Sequence, residues 1–326
     1  MQVYLDDIDR KLLNLVQRDF PLHREPFAIL GAKTGISSDA VLHRLQRLKT
    51  HRIVYEISPV LDARRLGYQA TLAAMMVAPE NVEKAAAVIT SHNGVSHCHE
   101  REHRFNLWFT LALPAENDIQ NELARLSDLA YAEHFLYLPS LKLYKIGTYF
   151  DMVGDGWLTP VSRNSTLPKR DKLSSLDRTV INELQQDLPL VEKPFEAMAA
   201  TVGLGTDQFL GECQSLQERG VMRRLSASIN HIKAGFVANV LCGWMVQPDL
   251  IESAGKKIAT FREVSHCFER QTSPLWKYNL YTVIHGRSRE ACQNIIQQIC
   301  EETGLSEHVS LFSCREFKRN RIRYSV

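Results

Sequence analysis

Several things are scarce in this chain of 326 residues, and each scarcity closes off a class of protein. Cysteine is sparse and scattered: the seven (Cys98, Cys213, Cys242, Cys267, Cys292, Cys300, Cys314) are odd in number and form no C-x-x-C pair. A disulfide framework and a cysteine-based zinc site are therefore not expected, and a reducing cytoplasm fits. No apolar run approaches the roughly 18 residues of a membrane helix. The start, Met1-Gln2-Val3-Tyr4-Leu5-Asp6-Asp7, has no basic stretch followed by an apolar one, so no signal peptide is expected. A large excess of one charge sign is missing too. Formal net charge is +2, low for a protein that coats nucleic acid.

What the chain does have is a second copy of itself. Leu5-Asp6-Asp7-Ile8-Asp9-Arg10 returns as Leu173-Ser174-Ser175-Leu176-Asp177-Arg178, Asp19-Phe20-Pro21-Leu22 as Asp187-Leu188-Pro189-Leu190, and Pro26-Phe27 as Pro194-Phe195, at one offset of 168. Val95-Ser96-His97-Cys98 returns as Val264-Ser265-His266-Cys267, at 169, and Asn106-Leu107 as Asn279-Leu280, at 173. The second copy gains four residues where a hairpin tip would lie, and tips tolerate insertion. Between the copies, 153–172 reads as a linker rich in Gly, Pro, Ser and Asn. The chain is a dimer fused into one polypeptide, and its pseudo-two-fold interface is a natural place for one asymmetric pocket. A further homodimer of such chains is a candidate assembly.

Apolar spacing predicts three short helices in 1–60, with a tight turn at Gly35-Ile36-Ser37 before the third, then a wing strand from Ile53 to Val60. The order strand, helix, strand, strand, helix, strand follows in 61–152, the last strand within Ala132 to Thr148. The pattern repeats as helices and a wing (Gly220 to Ile232) in 173–232 and the mixed set in 233–326. The expected class is α+β, two tandem repeats of a winged helix-turn-helix and a ferredoxin-like βαββαβ domain.

Alternation puts His97, His99, Arg101 and His103 on one face of a strand and Cys98, Glu100 and Glu102 on the other. Asn106 and Trp108 share a face after the turn. In the second copy His266, Phe268 and Arg270 share a face, then Trp276, Tyr278 and Leu280, with Asn279 and His285 opposite if the strand is regular. A row of imidazoles and a guanidinium is costly to bury without partners. It is either a solvated, salt-bridged sheet face or a ligand site. No acid or thiolate is spaced to complete a zinc set on that face. Aromatics with His and Arg suit a flat, iron-bearing polycarboxylate: Trp and Tyr pack on the ring, Arg and Lys pair with carboxylates, and a His reaches the metal.

Two resemblances carry this further. Leu48 to Tyr68 resembles the join between the winged helix-turn-helix and the ligand-binding domain of Lrp/AsnC regulators. Arg101-Glu102-His103-Arg104-Phe105-Asn106-Leu107-Trp108-Phe109 resembles the R-E-H-x-x-N-L-W-F signature of one subunit of siroheme decarboxylases. Cys267-Phe268-Glu269-Arg270, Pro274-Leu275-Trp276-Lys277-Tyr278-Asn279-Leu280-Tyr281 and Ile284-His285-Gly286 resemble the signature of its partner subunit, with Lys277 in place of that family's proline. The resemblance implies a natural fusion that removes CO2 from two acetates of siroheme to give 12,18-didecarboxysiroheme. That product lies on routes to haem d1 and, in some organisms, haem b, so other haem d1 biosynthesis proteins are candidate partners. It also implies His103 and His99 as first proton donors, with His97 and His266 behind them. Arg101, Arg270 and Lys277 would clamp carboxylates, while Asn106, Trp108, Trp276, Tyr278, Asn279 and His285 would line the site. No cofactor or built-in metal is expected beyond the iron of siroheme. The basic run Arg315, Lys318, Arg319, Arg321, Arg323 either contacts propionates or is a solvated strand face, with Lys142 and Lys145 as first-half counterparts. The runner-up is an Lrp/AsnC-type regulator sensing a small ligand or a tetrapyrrole. A third reading is a haem-binding carrier. DNA binding is not expected: the second recognition helix carries Glu212 and Glu218 and no Lys or Arg before Arg219.

Overall fold

The structure, a computed structural model, describes residues 4–147, 150–153, 172–230 and 232–326. Helix α1 (Asp7–Arg18) starts from a capping box between Asp6 and Asp9. Helix α2 (Pro26–Thr34) has Pro in its first turn and stops at Gly35, whose φ of +75° is left-handed and costs glycine little. Ser37 caps α3 (Ser38–Thr50) through the Ala40 amide. Then come β1 (Val54–Leu61), β2 (Tyr68–Met76), α4 (Val82–Ser91), β3 (Val95–Arg101), β4 (Leu107–Pro114), α5 (Ile119–Leu129) and β5 (His134–Ile146). The second half repeats them as α6 (Ser175–Leu184), α7 (Pro194–Thr201), α8 (Thr206–Glu218), β6 (Met222–Ile229), β7 (Ala238–Trp244), α9 (Ile251–Ala259), β8 (Val264–Arg270), β9 (Leu280–Gly286), α10 (Arg289–Thr303) and β10 (His308–Arg319). The linker expected over 153–172 lies, apart from its two ends, outside the described residues, and so does Thr148.

The halves interlock in two places. The strands expected as separate wings pair with each other: β1 and β6 form an antiparallel ribbon with Ile57 opposite Ala227. Each edge is satisfied by its own repeat. The helical heads also share one apolar core. Leu12, Val16 and Leu45 are packed in one cluster with Val180, Ile181 and Phe209. The Phe20 ring meets Phe27 at 5.9 Å and Phe195 at 6.5 Å. Arg24 pairs with Asp207, and Lys49 with Asp187.

Within each half the sheet has the ferredoxin-like order, β3-β4-β2-β5 and β8-β9-β7-β10. The two sheets are joined, because the last strand of each half serves both. β5 pairs with β2 up to Pro139, then with β8 from Ser140. β10 pairs with β7 up to Phe312, then with β3 from Ser313. These strands are 13 and 12 residues long, enough to cross from one sheet to the next. The result is one closed barrel. Helices cover it outside: Ala86, Ile89, Leu123 and Leu126 pack on the first sheet, Ile258, Ile296 and Ile299 on the second. A further cluster of Leu72, Ala74, Trp108, Leu138, Leu241, Trp276, Tyr281 and Leu311 fills part of the interior.

Candidate active site in the barrel interior

Cys98 and Phe109 pack with the outer helices, so His97, His99 and Arg101 alternate inward, as expected. Cys267 packs outward in the same way, which turns His266, Phe268 and Arg270 inward. The neighbouring strand completes each wall. On one side β10 sets Arg319 opposite His97, Glu316 opposite His99 and Ser313 opposite Arg101. On the other, β5 sets Ile146 opposite His266, Leu143 opposite Phe268 and Ser140 opposite Arg270. His99 meets Ser313 Oγ through Nδ1 at 3.1 Å, and its Nε2 lies 3.9 Å from Glu316 Oε2.

Arg101 and Arg270 are buried and pseudo-symmetric. Arg101 Nη1 donates to the Leu311 carbonyl at 2.7 Å, and Arg270 Nη1 to the Leu138 carbonyl at 2.8 Å. The Nε of each is buried with no hydrogen-bond partner. Burial pulls both guanidinium pKa values down to about 10, which leaves them charged near neutrality. Two buried cations with spare N–H donors are arranged to accept carboxylates. The Arg270 guanidinium lies 4.9 Å above the Phe268 ring. Arg101 Nη2 also donates to Asn239 Oδ1 at 3.2 Å, and Asn239 Nδ2 contacts His285 Nδ1 at 3.2 Å.

His97 keeps substantial exposed surface although many protein atoms stand around it. Burial lowers its pKa to about 4. His266 falls to about 3, first through burial and then through His97, Arg224, Arg270 and Arg319. Both imidazoles are neutral near pH 7.

Other expected residues stand elsewhere. β3 ends at Arg101, so His103 leaves the alternating row and sits in the bend. Its Nδ1 accepts from the Phe105 amide at 3.0 Å, and its ring meets Trp276 at 5.2 Å. Trp108 and Trp276 pack at 5.3 Å, and Tyr278 meets Trp276 at 5.0 Å. Trp276 Nε1 donates to Tyr281 Oη at 2.6 Å. β9 begins only at Leu280, so the alternation expected from Trp276 does not hold. Leu280 packs outward with the helices, while Tyr281 and Val283 face inward, and His285 joins them rather than opposing them.

Asn106 and Asn279 are turned to the backbone instead of the interior. Asn106 accepts from the Val77 amide at 3.1 Å and donates to the Val77 carbonyl at 2.8 Å; Asn279 does the same with Val246 at 2.9 and 2.8 Å. They tie the starts of β4 and β9 to the chain just after β2 and β7. Lys277 points outward, paired with exposed Glu307, because the residue lies in a surface loop. The basic run divides by register: Arg315 pairs with Glu83 and Glu100 outside, Lys318 donates to the Thr90 carbonyl at 2.7 Å, and only Arg319 turns in beside Glu316. Arg321 reaches the ribbon at Ser58 and Ser226. Lys142 pairs with Glu252, and Lys145 donates to the Phe261 carbonyl at 2.6 Å.

Sequence reasoning missed Glu316, Asn239 and Tyr281 as site residues. Tyr281 is the counterpart of Trp108 at the offset of 173. Setting Lys142-Leu143 beside Arg315-Glu316 would have exposed the inward Glu316. Among the described residues no group of three His, Cys, Asp or Glu is placed to hold a metal ion. No helix there is long and apolar enough to cross a membrane.

Comparison with known proteins places these features. Residues 9–54 and 177–223 match the siroheme decarboxylase NirDL-like HTH domain, and residues 65–145 and 233–318 the AsnC-like ligand binding domain. A siroheme decarboxylase of Hydrogenobacter thermophilus is 36% identical over 318 residues, 96% of this chain and 94% of that protein. The siroheme decarboxylase beta subunit of Methanosarcina barkeri is 35% identical over 151 residues, 46% of this chain and 99% of its own length. The crystal structure of the siroheme decarboxylase NirDL in co-complex with an iron-uroporphyrin III analogue is similar at a TM-score of 0.71 and 33% identity, covering 98% of this chain and 95% of that one.

Proposed function

This chain belongs to the siroheme decarboxylase family, and from that premise we propose that it removes CO2 from two acetate side chains of siroheme, giving 12,18-didecarboxysiroheme. The observation that carries the reading is the pair Arg101 and Arg270: two buried guanidinium groups across one barrel, each with an unpaired Nε. Siroheme is a ring rimmed by carboxylates, and guanidinium groups are suited to hold them.

The chemistry follows from the substrate's own conjugation. The bond between the acetate methylene and its carboxyl breaks, CO2 leaves, and the electron pair spreads into the macrocycle. One proton then converts the methylene to a methyl. The macrocycle is the electron sink, so the scheme needs no added cofactor. The protein must exclude water, hold the remaining carboxylates and supply one proton per acetate. Arg101 and Arg270 hold carboxylates; Trp108, Trp276 and Tyr281 form the buried aromatic cluster behind them. His99 and His97 are the inward donors on one wall, His266 faces them, and His103 guards the aromatic end. Carboxylates brought beside His97 and His266 raise pKa values that burial has lowered, and so let an imidazole carry the proton when substrate is bound.

A regulator would need basic side chains free to meet phosphates. Arg44 is engaged with Asp6 and Asp9, Arg47 with Asp9, and Arg219 with Asp177 and Glu212, all within their own helical heads. The test is to mix the purified chain with siroheme without oxygen and weigh the extracted tetrapyrrole. Loss of two CO2 is expected; binding with unchanged mass would replace the enzyme by a carrier.

A further inference from the structure

Each acetate removed consumes one proton, so the site must be resupplied twice per siroheme. The two walls are unequal in this respect. Glu316 and Arg319 face inward on β10, where the matching positions on β5 are Leu143 and Ile146. The fold therefore accepts an apolar pair at this register, and an acid there is not demanded by packing. Glu316 Oε2 is buried with no hydrogen bond, 3.9 Å from His99 Nε2 and 3.7 Å from Arg319 Nη1. At 3.9 Å the two stand within about 1 Å of hydrogen-bond distance. Glu316 also borders a cleft of about 370 Å³ between the ribbon and the end of β10, lined by Tyr55, Glu56, Ser228, Arg319 and Asn320. The acid thus stands between an outer cleft and an inward histidine.

Resting on the decarboxylase reading, we propose that Glu316 is a positioning residue that orients His99 and relays protons to it from this cleft. In the step, His99 Nδ1 leaves Ser313 Oγ and gives its proton to the methylene carbon left by CO2, while Nε2 takes one from the Glu316 carboxyl. Water in the cleft then reprotonates Glu316. The charged and titratable groups facing Glu316 are His99 from β3, Arg319 from β10, and Tyr55 and Glu56 from β1. Burial raises the Glu316 pKa and Arg319 partly offsets it.

Glu316→Gln, Glu316→Asp and Glu316→Leu test this, the last copying Leu143. Each is assayed anaerobically with siroheme for kcat, KM and the pH dependence of kcat. The expected result is a kcat lower by roughly 10- to 100-fold in the Gln and Leu variants, consistent with a proton-transfer role. KM stays within about twofold, and the Asp variant recovers part of the rate. Wild-type kcat falls as pH rises through the Glu316 titration, and the Gln variant lacks that limb. A Gln variant with wild-type kcat and pH profile overturns the relay while leaving the decarboxylase standing. A change in KM alone, or a loss in every variant matched by a lower Tm, also overturns it. A wild type that leaves siroheme unchanged overturns both readings.

Discussion

The two walls of the barrel descend from one sequence and have kept different things. Both retain the outward Cys (Cys98, Cys267), the buried Arg (Arg101, Arg270) and the small hydroxyl opposite it (Ser313, Ser140). Both also bulge at the same register steps. They part at the positions between: His99, Glu316 and Arg319 on one wall face Phe268, Leu143 and Ile146 on the other. Features that hold the barrel shut or grip an anion stayed symmetric. The set His99, Glu316 and Arg319 survives on one side only, while the inward His97 and His266 are kept on both. On the proposed reading, two clamps and one acid-base wall suit a substrate with several carboxylates but one reacting carbon at a time.

The largest expected effect breaks or sharpens the symmetric part. Arg101→Gln and Arg270→Gln should each weaken binding of an iron porphyrin polycarboxylate by 10- to 100-fold, since a hydrogen bond to a charged group contributes about 1.5–3 kcal/mol. Quenching of tryptophan fluorescence reads this. Equal losses fit two clamps; a loss on one side alone would break the symmetry. Next, Asn106→Ala and Asn279→Ala each strand a backbone amide and carbonyl, at a cost of about 1–3 kcal/mol. Melting curves should show similar drops for both, with ligand affinity little changed in the folded protein.

The inward histidines come third. Their folded pKa values, about 4 for His97 and about 3 for His266, lie below the ordinary value of 6.5. On acidification the unfolded chain takes up these protons first. Stability is therefore full above pH 6.5 and falls as pH drops through the window towards 4 for one and 3 for the other. His97→Asn and His266→Asn should both flatten the acid side of a Tm-against-pH curve, His266→Asn over the wider range. The smallest effect belongs to Lys277→Ala. It removes an exposed ion pair with Glu307 and should shift stability by less than about 1 kcal/mol, with turnover unchanged. A large loss of turnover would return Lys277 to the site.

Much of this was legible beforehand. Period-two alternation turned His97, His99, Arg101, His266 and Arg270 to one side, and the structure keeps them there. It failed where the strand had not begun: Trp276, Tyr278 and Leu280 were read as one face, but β9 starts at Leu280. Asn106 and Asn279 looked like ligands because a repeated polar residue in an aromatic motif suggests one. Their side-chain amides instead tie the starts of β4 and β9 to Val77 and Val246, a tertiary role that residue type alone does not reveal. Glu316 was hidden inside a basic run whose inward and outward members only strand pairing separates.

The sequence by itself determined the duplication, the order of elements and the chemical character of each strand face, because these rest on local periodicity and on caps such as Asp6, Ser37 and Gly35. Only the tertiary structure decided that the last strand of each half crosses to the other. That crossing joins two sheets into a barrel and sets Glu316 beside His99, 217 positions away in the chain. Such pairings depend on which long strand finds two edges to satisfy, and backbone hydrogen bonds between distant strands leave no periodic trace in the residues themselves.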